Sequence, residues 1–228
     1  VVRAGADTED WIRQVAERFQ AAPVGTLLGP SVQSHLEAGV QTLVANGATL
    51  VTGGASGGGT GYCCQNTLLR VSGSKFVASP AALQTEAFGN ASLIVVVESD
   101  AEFISVTQAL EGNLTGCLYT ANDGSDDPLY DQIAPILRQK VGRLLNDKMP
   151  TGVAVVPAMN HGGPFPATGH PGFTAVGIPA SLKRFAMLQC YDGVRPHRLP
   201  AMLADKSPHG VLWRMIDGKL MQGDVPAK

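Results

Sequence analysis

A repeated alternation of apolar runs with helix signals in the middle of the chain limits it to few folds. The β-branched run Leu93–Glu98 predicts a strand that is buried on both faces. A capping box formed by Ser99 and Glu102 predicts that a helix begins directly after it. The pattern then repeats, with a strand at Thr115–Thr120, a helix at Asp127–Lys140 and strands at Val141–Asn146 and Gly152–Val156. We therefore predict an α/β fold, a three-layer α/β/α sandwich with a mostly parallel sheet.

The regions on either side of this core predict further elements. These are helices at Thr8–Ala22 and Ser31–Ala45, strands at Ala48–Thr52 and Tyr62–Val71, and a glycine-rich connection at Gly53–Gly61. In the first helix, Trp11 and Val15 recur at helical spacing and are predicted to face the core. Asn160–Gly177 is rich in Gly and Pro and predicts a long ordered loop, a type that is usually functional. Ser181–Tyr191 predicts a short helix followed by a strand, and Pro196–Lys228 an extended C-terminal arm.

Composition and charge exclude several classes of protein. The 228 residues are 44% hydrophobic and 16% charged, which suits one large domain or slightly more. A net charge of −2 without a basic stripe argues against nucleic-acid binding, and no apolar run approaches the ~20 residues that span a membrane. Four cysteines without metal or disulfide spacing predict a reduced, cytoplasmic protein, and His197 and His209 are isolated from other metal ligands.

An acidic and aromatic motif stands directly before the buried strand. The stretch Leu83–Gly89 reads Leu-Gln-Thr-Glu-Ala-Phe-Gly and places Glu86 in a turn near the edge of the sheet. From the residues alone, the simplest interpretation of Glu86 is a solvated loop carboxylate. The glycine-rich run Gly53–Gly61 lacks the Gly-Lys-Ser/Thr ending of a phosphate-binding loop and predicts a surface connection.

A second motif, Asn160–Thr168, reads Asn-His-Gly-Gly-Pro-Phe-Pro-Ala-Thr. Together the two motifs resemble the C-terminal half of the aldehyde dehydrogenase superfamily. With Phe173–Gly177 and Arg184, the second motif is similar to one subfamily, the NADP-preferring α-ketoglutaric semialdehyde (2,5-dioxopentanoate) dehydrogenases. Gly61–Leu68 is similar to the family strand Gly-Tyr-x-x-x-Pro-Thr-Leu. Near the first motif the chain departs from the family at two positions, with Thr85 for a glutamate and Asn90 for a proline.

The resemblance implies roles for four residues. The family glutamate that matches Glu86 accepts hydrogen bonds from the nicotinamide-ribose hydroxyls, a task that suits a carboxylate. The phenylalanine that matches Phe88 packs beside the nicotinamide. The segment that matches the second motif lines the substrate tunnel, so Phe165 is predicted as an aromatic wall and His161 as a substrate-binding residue. His161 has a second interpretation, in which it ties down the glycine-rich loop by hydrogen bonding. Arg184 either attracts a distal substrate carboxylate or is a solvated charge.

The family reaction uses a cysteine thiolate that attacks the aldehyde before hydride passes to the nicotinamide. The resemblance places that cysteine upstream of Val1. Cys63 and Cys64 match a strand without a catalytic role, so we expect them on opposite faces of it, one of them buried. Cys117 and Cys190 are likewise expected as buried small hydrophobes. No nucleophile is therefore predicted within the chain.

We therefore predict that the chain is part of an aldehyde dehydrogenase, which oxidises an aldehyde with NADP or NAD. The predicted aldehyde is α-ketoglutaric semialdehyde. Residues 1–156 would form the catalytic-domain core, 157–195 the substrate-tunnel loop with its helix and strand, and 196–228 an arm for homo-oligomer contact. The dinucleotide-binding domain is expected outside the chain, which alone is predicted to be inactive.

Three alternatives remain open at this stage. The parent enzyme could instead act on long-chain fatty aldehydes. The chain could be a non-catalytic domain that binds or assembles, for which strand addition through the C-terminal arm is plausible. A third alternative is a cysteine enzyme that pairs Cys63 or Cys64 with His161.

Overall fold

A computed structural model describes residues 1–150, 154, 156–177, 179–208 and 212–226. The strand predicted at Gly152–Val156 and the isolated His209 lie mainly or wholly outside the described residues. The chain divides into two compact units, Val1–Leu182 and Lys183–Lys228. Among the described helices, none combines the length and apolar character needed to cross a bilayer.

The first unit alternates strands and helices. Its helices are Thr8–Ala21 (α1), Pro30–Ala45 (α2), Gly73–Ala78 (α3), Pro80–Leu83 (α4), Asp100–Ala109 (α5) and Asp127–Lys140 (α6). Its strands are Val2–Arg3 (β1), Thr49–Thr52 (β2), Thr67–Ser72 (β3), Ala91–Val97 (β4), Asn113–Leu118 (β5) and Val141–Asn146 (β6). Short 3-10 helices follow at Pro171–Phe173 and Ala180–Arg184.

Most strand pairs in this unit are parallel. One sheet has the order β1-β4-β3-β2, and β5 and β6 form a second sheet. Strands β3 and β4 run parallel from the pair Thr67–Ala91 to the pair Ser72–Val96, and β5 is parallel to β6. The antiparallel member is the edge strand β2, which pairs with β3. The predicted α/β fold with a mostly parallel sheet is therefore confirmed.

Helices cover both faces of the four-stranded sheet because its strands alternate their side chains between two apolar clusters. On one face, Ile12 and Ala16 of α1 pack with Leu68, Ile94 and Val96. On the other face, α2, α3 and α5 pack on the remaining strand residues, with Leu43, Phe76 and Val106 buried among Leu69, Val71, Val95 and Val97. Burial on both faces explains why β4 consists of a continuous apolar run rather than an alternating one.

Helix α5 begins where its capping residues predict. The Ser99 hydroxyl accepts a hydrogen bond from the Glu102 backbone N–H at 3.1 Å. The Glu102 carboxylate in turn accepts from the Glu98 N–H at 2.7 Å, one residue before the position that a standard capping box uses. These bonds fix the junction between the buried strand β4 and the helix.

Three details of the first unit differ from the predictions. Strand β3 begins at Thr67 instead of Tyr62, because its parallel partner β4 begins only at Ala91. Trp11 is 45% exposed and Val15 only partly buried, since Ile12 and Ala16 form the buried stripe of α1. The helices α3 and α4 had not been predicted.

The second unit contains 3-10 turns at Pro196–Arg198 and Ala201–Leu203 and a β-hairpin, Trp213–Ile216 (β7) and Lys219–Gln222 (β8). The hairpin turns at Asp217 and Gly218, which both have positive φ, as a two-residue hairpin turn requires. Only a 3-10 turn forms within Ser181–Tyr191, so the prediction that a strand follows it was wrong.

Candidate functional site

The turn between α4 and β4 is pressed against helix α2. Leu83, the last residue of α4, is 2% exposed and anchors the start of the turn. A Cβ added at Gly39 of α2 would lie 2.8 Å from the Ala87 Cα, so the absence of a side chain there lets the turn approach. A Cβ at Gly89 would similarly lie 2.7 Å from Leu36 Cδ2. Ala87 therefore packs towards the helix.

The neighbours of Ala87 are consequently exposed. Glu86 is exposed, and the side chain of Phe88 is 65% exposed. Both residues line an open cavity of about 520 Å³, together with Leu43 of α2 and Leu93 of β4. The two residues predicted to contact the nicotinamide end of the cofactor thus share one open surface. Their binding role stays a prediction.

The loop of residues 160–177 is held by its own polar side chains. The Thr174 hydroxyl, which is buried, lies 2.7 Å from Asn160 Oδ1, and Asn160 Nδ2 donates to the Gly162 carbonyl at 3.3 Å. The Thr168 hydroxyl accepts from the Gly163 N–H at 2.7 Å. These contacts close the loop on itself without a hydrogen bond from the His161 side chain among those described.

Close backbone contacts press this loop against the second sheet. A Cβ at Gly112, directly before β5, would overlap the carbonyl oxygens of Pro164 and Phe165. A Cβ at Gly142 in β6 would overlap the Gly162 carbonyl. Glycine at these positions is what allows the loop and the strands to approach so closely.

The turn and the loop contribute to the wall of one larger cavity. Its volume is about 730 Å³, and apolar side chains dominate its lining, among them Phe76, Leu93, Val95, Phe103, Leu110 and Leu137. Glu86 and Glu111 are acidic residues of this wall, and the loop contributes Pro166 and Ala167. Two motifs that are distant in sequence therefore meet at one cavity.

The loop residues singled out from the sequence lie on its outer side. Phe165 is 77% exposed, and His161 is also exposed. The His161 backbone N–H donates to the Thr174 carbonyl at 3.0 Å. The contact of these two side chains with a substrate stays a prediction.

The adjacent cysteines have no features of a nucleophile. Cys63 and Cys64 are 2% and 4% exposed and precede β3, so neither lies on that strand as predicted, and both are buried rather than one. The Cys64 thiol lies 3.6 Å from Glu37 Oε1 and donates to it. Burial raises the pKa of the Cys64 thiol, and the Glu37 carboxylate raises it further. A protonated, buried thiol reacts slowly.

The other two cysteines differ from each other. Cys117 on β5 is partly buried, and its thiol donates to the Lys148 carbonyl at 2.9 Å. Cys190 is exposed, because its segment does not form the strand predicted to bury it. The expectation that both are buried was therefore wrong for Cys190.

Sequence reasoning missed one polar residue next to the turn. The Gln84 side chain hydrogen-bonds to backbone groups of Pro80, Ala109 and Glu111. Ala109 ends α5 and Glu111 lies between α5 and β5. Both are distant from Gln84 in sequence, so no local pattern identifies the contact. Gln84 belongs to the acidic motif, but its position there does not indicate which backbone groups its side chain reaches.

The described site can accept hydrogen bonds and provide an apolar surface. An exposed carboxylate suits vicinal hydroxyl groups, and an exposed aromatic ring suits a flat heterocycle. Among the residues that the structure describes, no group of three or more His, Cys, Asp or Glu side chains could hold a metal ion.

Comparison with solved structures supports the fold. Betaine aldehyde dehydrogenase from Staphylococcus aureus, solved in complex with NAD+, has a TM-score of 0.55 and 16% identity, covering 71% of this chain and 33% of that chain. Lactaldehyde dehydrogenase from Escherichia coli has a TM-score of 0.53 and 22% identity, covering 69% of this chain and 32% of that chain.

Sequence relatives are more specific. Alpha-ketoglutaric semialdehyde dehydrogenase 2 from Azospirillum brasilense is 35% identical over 215 residues, which are 94% of this chain and 40% of that protein. Alpha-ketoglutaric semialdehyde dehydrogenase from Acinetobacter baylyi (strain ATCC 33305 / BD413 / ADP1) is 38% identical over 140 residues, 61% of this chain and 26% of that protein. The chain thus spans less than half the length of these curated relatives. The family profile "Aldehyde dehydrogenase family" matches residues 6–135, so this chain belongs to the aldehyde dehydrogenase family.

Proposed function

We propose that this chain forms part of an NAD(P)-dependent aldehyde dehydrogenase in which Glu86 binds the nicotinamide ribose. The observation that carries this proposal is the outward-facing pair Glu86 and Phe88 in the wall of an open cavity. The carboxylate can accept hydrogen bonds from two neighbouring hydroxyls, and Phe88 offers an apolar face beside it. When bound, NAD(P) would supply the hydride acceptor for aldehyde oxidation.

The proposed substrate is α-ketoglutaric semialdehyde, and the proposed cofactor preference is NADP. Support for the substrate comes from the names of the two sequence relatives. The proposed path of the substrate is supported by Pro166 and Ala167, which line the same cavity as Glu86. His161 and Phe165 on the same loop are proposed to contact the substrate. The apolar lining of the cavity favours long-chain aldehydes as the alternative substrate class.

We also propose that the reactive cysteine and the adenosine-binding domain belong to a part of the enzyme outside these 228 residues. The chain matches only 40% of the Azospirillum relative. Its two adjacent cysteines are buried, and burial raises the pKa of the Cys64 thiol. Residues 1–156 would supply the core, 157–195 the substrate loop and 196–228 the oligomer contact. The chain alone should produce no NAD(P)H from an aldehyde, and measurable production would contradict this proposal.

A chimera tests the role of Glu86 directly. This chain replaces the stretch that it matches in the Azospirillum enzyme, and the rate of aldehyde-dependent NAD(P)H formation is measured. Glu86→Gln keeps the shape but removes the charge, so the cofactor KM should rise about tenfold, or ~1.4 kcal/mol, the scale of one charged hydrogen bond. Glu111→Gln is the matched control, because Glu111 is also exposed in the larger cavity. Equal cofactor KM values in the two variants would contradict the proposal.

A further inference from the structure

We propose that Gln84 and Asn90 are positioning residues, whose side-chain amides clamp the two ends of the turn that carries Glu86. This inference rests on the proposed ribose contact of Glu86. It adds that the position of the carboxylate is set by two amides that bond to groups of the protein on either side of the turn. Gln84 lies two residues before Glu86, and Asn90 lies four residues after it. The two amides thus stand at the two borders of the exposed segment.

Gln84 fixes the first end. Its Nε2 donates to the Pro80 carbonyl at 3.0 Å and to the Ala109 carbonyl at 3.1 Å. Its Oε1 accepts from the Glu111 N–H at 2.8 Å. One partly buried side chain thus ties the end of α4 to both sides of the connection between α5 and β5.

Asn90 fixes the second end. Its Nδ2 donates to the Cys64 carbonyl at 2.7 Å and to Asn66 Oδ1 at 2.8 Å. Because a carbonyl only accepts, the contact with Cys64 determines which way the Asn90 amide points. The Asn90 carbonyl accepts from the Thr67 N–H at 2.9 Å, which begins the pairing of β3 with β4. Asn66 is itself held, since its Nδ2 donates at 3.0 Å to the Phe19 carbonyl at the end of α1.

The clamps also connect the turn to the substrate loop. Glu111, held by Gln84, is followed by Gly112, against which the Pro164 and Phe165 carbonyls are packed. Gln84 therefore sets the turn at a fixed position relative to residues 160–177. If the turn were displaced, the Glu86 carboxylate would no longer be positioned to accept hydrogen bonds from the ribose hydroxyls, while the core would stay folded.

The clamp itself can be tested on the 228-residue chain by amide hydrogen exchange. In Gln84→Ala the Glu111 amide should exchange about tenfold faster, because its acceptor is lost. Gln132→Ala is the matched control, since Gln132 Nε2 donates to the Pro128 carbonyl four residues earlier, as Gln84 does to Pro80. In Asn90→Asp the Thr67 N–H keeps its backbone acceptor, but loss of the Nδ2 donor should loosen the start of the β3–β4 pairing and speed exchange of the Thr67 amide. Unchanged exchange at Glu111 and Thr67 would overturn the clamp.

The positioning role is tested in the chimera by combining each variant with Glu86→Gln. Gln84→Ala and Asn90→Asp should each raise the cofactor KM several-fold when Glu86 is present and cause no further rise in Glu86→Gln. Asn46→Asp, which removes a helix C-cap amide elsewhere, should leave the cofactor KM unchanged. Fully additive effects would overturn the positioning role alone. A Glu86→Gln enzyme with normal KM would overturn the proposed function, and the positioning role with it, even if the exchange data established the clamp.

Discussion

Gly112 shows how a single residue brings the loop of residues 160–177 and the core together. A Cβ there would overlap two carbonyl oxygens of the loop, and backbone cannot rotate away as a side chain can. We expect Gly112→Ala to lower the free energy of unfolding by about 1–3 kcal/mol, the usual cost of overpacking. Urea unfolding of the chain measures this value. Gly169→Ala is the control, because a Cβ at Gly169 meets no atom within 4 Å and should be close to neutral. Equal losses at both positions would show that the contact is not tight.

The four cysteines should differ widely in their rates of alkylation. Cys190 is exposed and should be labelled first, whereas Cys63 and Cys64 should be labelled only when the chain opens. Since the pKa of the Cys64 thiol is raised, its thiolate should form only at a pH above that of an ordinary cysteine. Mass spectrometry of labelled peptides over time and pH gives the order. Native-state labelling of Cys63 or Cys64 ahead of Cys190 would favour the alternative of a cysteine enzyme.

Residues with a local signature could be predicted from the sequence, and residues defined by distant partners could not. The exposed turn position of Glu86 follows from its local motif, and the structure places Phe88 on the same open surface. The binding roles of both residues come from the family resemblance and stay predictions. Gln84 and Gly39 are equally involved in the turn, but their partners lie on other elements. A single sequence holds no information about which distant backbone group a glutamine will reach.

At the scale of elements, the start of α5 depends on its capping serine. Ser99→Ala removes the acceptor for the Glu102 N–H and should lower the free energy of unfolding by about 1 kcal/mol. Ser105→Ala is the matched control on the same helix, because the Ser105 hydroxyl only donates to the Ala101 carbonyl within the helix. Ser105→Ala should leave the free energy of unfolding nearly unchanged or raise it slightly. Thermal unfolding of both variants distinguishes these outcomes, and a larger loss at Ser105 would contradict the cap.

Elements with strong periodicity and clear end signals matched their predictions best. Strand β6 and helix α6 lie where the sequence indicates, with Pro128 in the first turn of the helix. Strand β3 was predicted too long, because a strand needs a partner and β4 does not extend far enough. The short helices α3 and α4 carry too few residues for a visible period. In the second unit, the Asp217–Gly218 pair was the overlooked signal for a hairpin.

At the scale of the whole molecule, the hairpin of the second unit presents exposed apolar side chains. Trp213, Met215 and Leu220 are exposed, and Met215 pairs directly with Leu220 across the strands. We expect the chain to form homo-oligomers, and Met215→Glu with Leu220→Glu should reduce the mass measured by light scattering. Met202→Glu is the control, since Met202 is exposed outside the hairpin. A monomeric parent chain, or one whose mass does not respond to the hairpin variant, would contradict this expectation.

We propose that Glu86 contacts the hydroxyls of the nicotinamide ribose. The most direct measurement is a cycle in the chimera that combines Glu86→Gln with an NADP+ analogue lacking both of those hydroxyls. The parent chimera should bind the analogue about 10- to 100-fold more weakly than NADP+, as expected for charged hydrogen bonds worth ~1.5–3 kcal/mol. The Glu86→Gln chimera should distinguish the two cofactors far less. An equal preference for NADP+ in both proteins would contradict the claim.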